Sequence, residues 1–187
     1  MGYNKIGFIA LVLFSFILSG CSINRYQEPD DIDLIPVSQK AAKDLLYNGR
    51  FSLPKNSMVV ISSFVNVNDL EQTSAFGRIV ASQIGSAIFK SGYHIRSMEL
   101  STDKFVKTNS GFYQLTAEAK AALKSQGASA LVFGVFAPGK KTAYVNVRMV
   151  DLNSQNVMAS TDFMVPMGAD AKILLKSRKT GSKNPEE

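Results

Sequence analysis

The sequence predicts a single small α/β (α+β) domain: a mixed β-sheet packed by two to three helices, with a C-terminal antiparallel meander. Three observations predict it. Two nearly unbroken apolar runs, Met58–Val65 and Ser129–Phe136, have the pattern of strands covered on both faces, as parallel strands usually are. Each run is preceded by an amphipathic helical segment, the order that lays helices against a sheet. The stretch Tyr144–Asp151 alternates apolar and polar residues, the period-two signature of a strand with one face in the core.

Taken in order, Ser38–Asn48 has Ala41, Ala42, Leu45 and Leu46 at helical spacing, with Ser38 as N-cap and Gly49 as stop. Pro54-Lys55-Asn56-Ser57 punctuates the chain before the first buried strand. A long helix is expected over Glu71–Ser91, where Phe76, Ile79, Val80, Ile84, Ala87 and Ile88 form one apolar stripe. Gly77 and Gly85 each cost a helix interior about 1 kcal/mol against Ala, so both point to close packing. Gly92 ends that helix and Tyr93–Met98 is the next strand. Ser101–Gly111 reads as irregular, with a short edge strand at Phe105-Val106. The rings of Phe105, Phe112 and Tyr113 either meet another subunit or plug the edge of the core.

Thr116 caps a third helix through Ala119, Ala122 and Leu123, and Gly127 stops it. After the second buried strand, Pro138-Gly139-Lys140-Lys141 is a turn. Val145, Val147 and Met149 then face inward, with Asn146 and Arg148 outward. Asn153-Ser154-Gln155-Asn156 turns the chain again. Val157, Ala159, Phe163 and Val165 line one face of a last strand, which Pro166 ends.

The first residues carry a separate message. Lys5 supplies one positive charge, Ile6–Leu18 is apolar, and Ser19-Gly20-Cys21 follows, the order of an export signal with a small-residue cleavage site. Thirteen apolar residues span only about 20 Å, too short for a permanent membrane span. Leu18-Ser19-Gly20-Cys21 resembles the bacterial lipobox, whose cysteine receives a diacylglycerol, is exposed by cleavage and is then acylated, usually with palmitate. Residues 1–20 are therefore read as a signal peptide and Cys21 as the lipid attachment site. Two or three acyl chains make release slow where one anchors only marginally. Ser22, where retained lipoproteins carry Asp, implies by the same resemblance an outer-membrane destination facing the periplasm.

Residues 21–36 are polar and acidic, with Glu28, Asp30, Asp31 and Asp33, and read as a tether. Residues 37–166 form the domain, and 167–187 a basic disordered tail. Cys21 is the single cysteine, so no intramolecular disulfide forms. The net charge of +6 is usual for a soluble surface and also suits anionic partners such as lipid headgroups or cell-wall polymer. No basic-aromatic pattern for nucleic acid is present.

Catalytic motifs fail one by one. Gly134-Val135-Phe136-Ala137-Pro138-Gly139-Lys140-Lys141 approaches a phosphate loop but lacks the final Ser or Thr and opens a strand rather than a helix. His94 is the sole histidine and Cys21 is committed to lipid, so no nitrogen–sulfur metal site assembles. His94 itself reads as the polar face of an edge strand. Asp30-Asp31-Ile32-Asp33 lacks the spacing and glycine of a calcium loop. There is no Gly-x-Ser-x-Gly elbow. The reading is a non-enzyme with no cofactor, no metal and no small-molecule substrate.

Several segments resemble the FlgO family of flagellar outer-membrane lipoproteins. They are Val59-Val60-Ile61-Ser62-Ser63-Phe64-Val65-Asn66 with Thr73-Ser74-Ala75-Phe76-Gly77-Arg78, then Gly92-Tyr93-His94-Ile95-Arg96. Gly127-Ala128-Ser129-Ala130-Leu131-Val132-Phe133-Gly134 and Val147-Arg148-Met149-Val150-Asp151-Leu152 follow in the family's order. The resemblance implies the small α/β fold shared with the amino-terminal domain of TolB. It marks Phe64, Phe76, Gly77, Arg78, Gly92, Tyr93, Gly134 and Asp151 as structural motif positions. It also implies a motility role: building or stabilising rings of the flagellar basal body at the outer membrane. Partners would be basal-body and ring proteins, with further copies of the chain possible. The alternatives are a lipoprotein regulator of a peptidoglycan synthase, which needs a long tether, and an accessory lipoprotein of a secretion or pilus machine.

Overall fold

A computed structural model of the chain describes residues 28–47, 53–99, 104–107, 113–154 and 156–176. Its helices are α1 (Leu34–Tyr47), α2 (Ala75–Lys90), α3 (Ala117–Ser125) and α4 (Ala169–Leu175). Its strands are β1 (Met58–Ser62), β2 (Val65–Asn66), β3 (Asp69–Thr73), β4 (His94–Met98), β5 (Phe105–Lys107), β6 (Tyr113–Leu115), β7 (Ala128–Pro138), β8 (Thr142–Asp151) and β9 (Val157–Pro166).

β1 pairs parallel with β4 on one side and β7 on the other. β2 continues β1 past Ser63-Phe64 and pairs parallel with the far end of β7, Val65 opposite Val135. β3 folds back antiparallel on β2. The other edge of β7 takes β8 and then β9, both antiparallel. The mixed sheet with a C-terminal meander is thus as expected, and β5–β6 forms a separate two-stranded sheet.

Alternation along the central strands divides the core in two. Val59 and Ile61 of β1, with Ala130 and Val132 of β7, face a large cluster built with α1, α2 and α4. Val60 and Leu131 face the opposite way, against Leu115, Ala119 and Leu123 of β6 and α3. Covering on both sides is why these strands read as continuous apolar runs. β8 and β9 bury one face only, the one that presents Ala143, Val145, Val147, Met149, Ala159 and Val165 to the large cluster.

Several local expectations are corrected. The helix expected from Glu71 starts at Ala75. Asp69–Thr73 is instead a strand, held against β2 by a turn in which Asn66 Oδ1 accepts from Asn68 N (3.0 Å). Ser74 is the actual N-cap, its Oγ accepting from Gly77 N at 3.1 Å. The expected continuous strand to Val65 breaks at Ser63-Phe64. Ser38 is no cap: α1 begins at Leu34, Asp33 Oδ1 accepts from Ile35 N (2.9 Å), and buried Ser38 donates to Gln83 Oε1 (2.8 Å). Pro36 is tolerated there because first-turn N–H groups have no intrahelical partner. Gly49, expected as the stop, lies outside the described residues.

In β9 a bulge opposite Met149/Val150 buries Met158 and leaves Val157 exposed, so Val157 leaves the face of Ala159 and Val165. Of the residues expected as tether, Glu28 and Asp31 contact α4 and those from Leu34 onward are helical; of those expected as tail, Met167 is buried and Ala169–Leu175 forms α4. Residues 177–187 lie outside the described part.

Candidate functional site

Four of the motif positions meet at one node. Phe64, between β1 and β2, is fully buried and its N donates to Gly77 O at 3.2 Å. A Cβ on Gly77 would overlap the Phe64 carbonyl oxygen, so only glycine lets the first turn of α2 come this close. A Cβ on Gly134 would stand 2.8 Å from the Phe64 ring, so β7 carries a glycine under that ring. Phe76 packs edge-on against Phe136, ring centroids 5.4 Å apart. Sequence reasoning missed Phe136 as part of this node and Ser74 as its cap. A Ser directly before an apolar helical stripe was the available signal for the latter.

Arg78, the next residue on α2, is exposed and borders a cleft of about 350 Å³ at the C-terminal ends of β1 and β4. Ser63, Ser82, Ser97 and Glu99 supply its other polar walls. A wider groove of about 540 Å³ lies on the uncovered side of the meander, lined by Val67, Val135, Ala137, Tyr144 and Met164. Tyr144 and Met164 are 57% and 61% exposed. Asn146 Nδ2 donates to Asp162 Oδ1 (2.7 Å) and Ser160 Oγ (3.3 Å) on this face.

The remaining motif positions stand apart from the node. Gly92 has φ +90°, in the left-handed region, and its carbonyl accepts from Asn56 N at 3.0 Å. Tyr93 is buried, its hydroxyl donates to Leu53 O (3.3 Å), and Lys55 Nζ sits 4.8 Å from its ring centroid. Asp151 ends β8, where its Oδ1 accepts from Asn153 N (2.6 Å) and Ser154 N (2.7 Å), an Asx turn. His94 is exposed on edge strand β4. Phe105 packs 5.9 Å from Phe133 beside the α3 cluster, while Phe112 lies outside the described residues. Gly134–Pro138 belongs to β7 and Thr142 opens β8, so the phosphate-loop pattern is a strand and a hairpin turn. Leu18, Ser19, Gly20 and Cys21 lie outside the described residues.

The two ends of the described chain meet at α4. Asp31 carboxylate oxygens accept from Asp170 N (3.0 Å) and Ala171 N (3.1 Å), and Glu28 pairs with Lys172. The backbone donation from Asp170, then that from Ala171, lowers the Asp31 pKa from its ordinary value. Nothing local in the sequence announces this contact between residues so far apart in the chain.

Among the described residues no three His, Cys, Asp or Glu side chains gather where they could hold a metal ion. No described helix is long and apolar enough to cross a membrane.

The sheet order and the helices on its faces define a fold also found among solved structures. The LpoB C-terminal domain from Escherichia coli superposes with a TM-score of 0.50 at 11% identity, covering 72% of this chain and 98% of that domain. The corresponding domain from Salmonella enterica gives 0.49 at 12% identity over the same shares. A PelC dodecamer from Paraburkholderia phytofirmans gives 0.45 at 16%, covering 63% of this chain and 77% of that one. At these identities the likeness is one of fold alone. No curated protein matches the chain. The family model FlgO, described as FlgO protein, matches residues 39–170. The chain belongs to the FlgO family.

Proposed function

We propose that this is an outer-membrane lipoprotein, anchored through Cys21, that supports assembly or stability of flagellar basal-body rings and hence motility, without catalysing a reaction. The family match over residues 39–170, nearly the whole described domain, carries the reading. The openings described above fit it: one is lined by serine hydroxyls with Arg78 and Glu99, the other by exposed Tyr144 and Met164, residue types suited to protein contact. Ring assembly would use head-to-tail contacts, either between copies or with other ring proteins.

The main alternative, a regulator reaching through the cell wall to a synthase, meets a geometric objection. Glu28 is already docked on α4 through Lys172. The chain from Cys21 to Glu28 extends at most about 25 Å, half of what a tether ending at Pro36 would allow. That reach favours work beside the protein's own membrane.

Soft-agar swimming of wild type, a clean deletion and Cys21→Ala tests the proposal. Loss of swimming in both altered strains is expected. Normal swimming by the deletion strain, with intact basal bodies by electron cryotomography, would remove the flagellar role.

A further inference from the structure

We infer that the outer edge of β9 pairs with the same edge of a second copy of this chain, antiparallel, so that one sheet runs through a two-fold dimer. The inference is independent of the flagellar reading. Among the described residues β9 pairs only with β8, so its other side is a sheet edge along a strand of 10 residues. The remaining edges of that sheet, β3 and β4, have 5 residues each and carry Asp69, Glu71, His94 and Arg96. Sheet edges are normally blunted by shortness, charge, bulges or proline. β9 carries no basic residue, and its bulge and its proline stand at its two ends, at Met158 and Pro166.

Between those ends the ladder fixes which backbone groups point outward. Met167 N donates to Lys141 O at 2.9 Å, and Ala159 to Pro166 stay in register with β8. Alternating back from Met167, Val165, Phe163, Thr161 and Ala159 bond to β8, while Met164, Asp162 and Ser160 turn their N–H and C=O groups to the outer side. The side chains of Ser160 and Asp162 are engaged within their own sheet. Ser160 Oγ donates to Val147 O (3.2 Å), and Asn146 Nδ2 donates to Asp162 Oδ1 (2.7 Å). α1 lies on the core face, where Thr161 Oγ1 donates to Asp44 Oδ2 (3.5 Å). The edge thus offers bare backbone, and the group that satisfies it is another strand.

The second copy fits because β9 complements itself when reversed. Exposed Met164 and Val157 stand near opposite ends, with exposed Ser160 and Asp162 between them. A two-fold axis at Thr161 sets Ser160 opposite Asp162 of the second copy, each such pair exchanging both of its backbone bonds. Met164 then meets the bulged end of the second copy, beside exposed Val157. Moving the axis to Asp162 would oppose two carboxylates, which is destabilising. Moving it to Phe163 would oppose Ser160 to Pro166, which has no N–H to give. Such a contact closes on itself, so it makes a dimer, and head-to-tail contacts of a ring would lie elsewhere on the chain. A single strand edge buries less than a standard interface of about 1,600 Å², so the pairing is expected where copies are concentrated.

Disulfide trapping in cells that make the full chain tests this. Ser160→Cys and Asp162→Cys are placed on two differently tagged copies, and the wild-type chain with its own Cys21 sets the background. Residues opposed in a hydrogen-bonded pair have Cα atoms about 5.5 Å apart, within disulfide reach. The mixed disulfide should exceed either self-disulfide by at least roughly threefold. Adding Met164→Lys to both copies should return it to background, with the amount of folded chain unchanged, because a charge on an edge blocks pairing. No product above background, equal products, or a dominant Asp162→Cys self-disulfide overturns the pairing. So does a mixed disulfide that persists in folded Met164→Lys chains. A disulfide to a different protein gives the edge to a foreign strand and overturns the second copy as its occupant.

Discussion

The two faces of the sheet are covered very differently. One carries α1, α2 and α4 over a continuous cluster that runs from β1 across to β9. The other carries the nine-residue α3 and the β5–β6 hairpin over β1 and the start of β7, leaving β8 and β9 bare. Both covers use the same apolar residue types, so the difference lies in closure. On the first face, helix and sheet approach until backbone nearly touches backbone at Phe64 and Gly77. On the second, Leu123, Leu131 and Leu152 are buried within a much smaller set. Stability is therefore concentrated on one face, and the surface free to meet other molecules on the other.

The sharpest way to break this contrast is Gly77→Ala. Its new methyl has no room beside the Phe64 carbonyl, so α2 must lift and the Phe76–Phe136 contact must open. A loss of about 5 kcal/mol is expected, as for severe overpacking of a core. Chemical denaturation followed by circular dichroism measures it. A loss below about 1 kcal/mol would show that α2 is not held at this point.

A matched pair compares the faces directly. Ile84, fully buried on α2, and Leu123, nearly so on α3, lose similar volume on truncation to Ala. Buried aliphatic truncations cost about 2–5 kcal/mol, rising with the cavity that cannot collapse. Ile84→Ala should lie near the top of that range and Leu123→Ala near the bottom, because α3 and the hairpin can settle inward. Equal losses in parallel urea titrations would make the two faces energetically alike.

What was legible in the sequence follows the same division. Val59-Val60-Ile61 and Ala130-Leu131-Val132 announce strands buried on both faces, because each neighbouring residue needs its own apolar cover. The caps and stops of α3, Thr116 and Gly127, are local and were readable: Thr116 Oγ1 accepts from Ala119 N at 3.1 Å. Asp69–Thr73 misled because its residues join a polar-looking strand to the apolar stripe of α2, and only the pairing with β2 decides between them. Ser38 looked like a cap, yet its hydroxyl meets Gln83 on another helix. Asp31 looked like part of an acidic tether, yet it caps α4. Contacts of such long sequence separation leave no periodicity to read. Of the motif positions, Gly77 was visible as an anomaly in a helix, but its cause, the Phe64 backbone, exists only in three dimensions, as does the Phe64 ring that lies over Gly134.

The smallest expected effect is also the most discriminating for the bare face. Tyr144 and Met164 stand next to each other across β8 and β9, paired in register, and both side chains are mostly exposed on the groove side. If this surface contributes nothing to holding the fold, replacing both by Ser removes little buried area. The double variant should then stay within about 0.5 kcal/mol of wild type, as surface substitutions do. Ser is a poorer strand former than Tyr, which works against that result by a few tenths of a kcal/mol. A loss well above about 1 kcal/mol in the same urea titration would mean that the pair braces the meander, and the contrast between a closed face and a free one would fail at the groove.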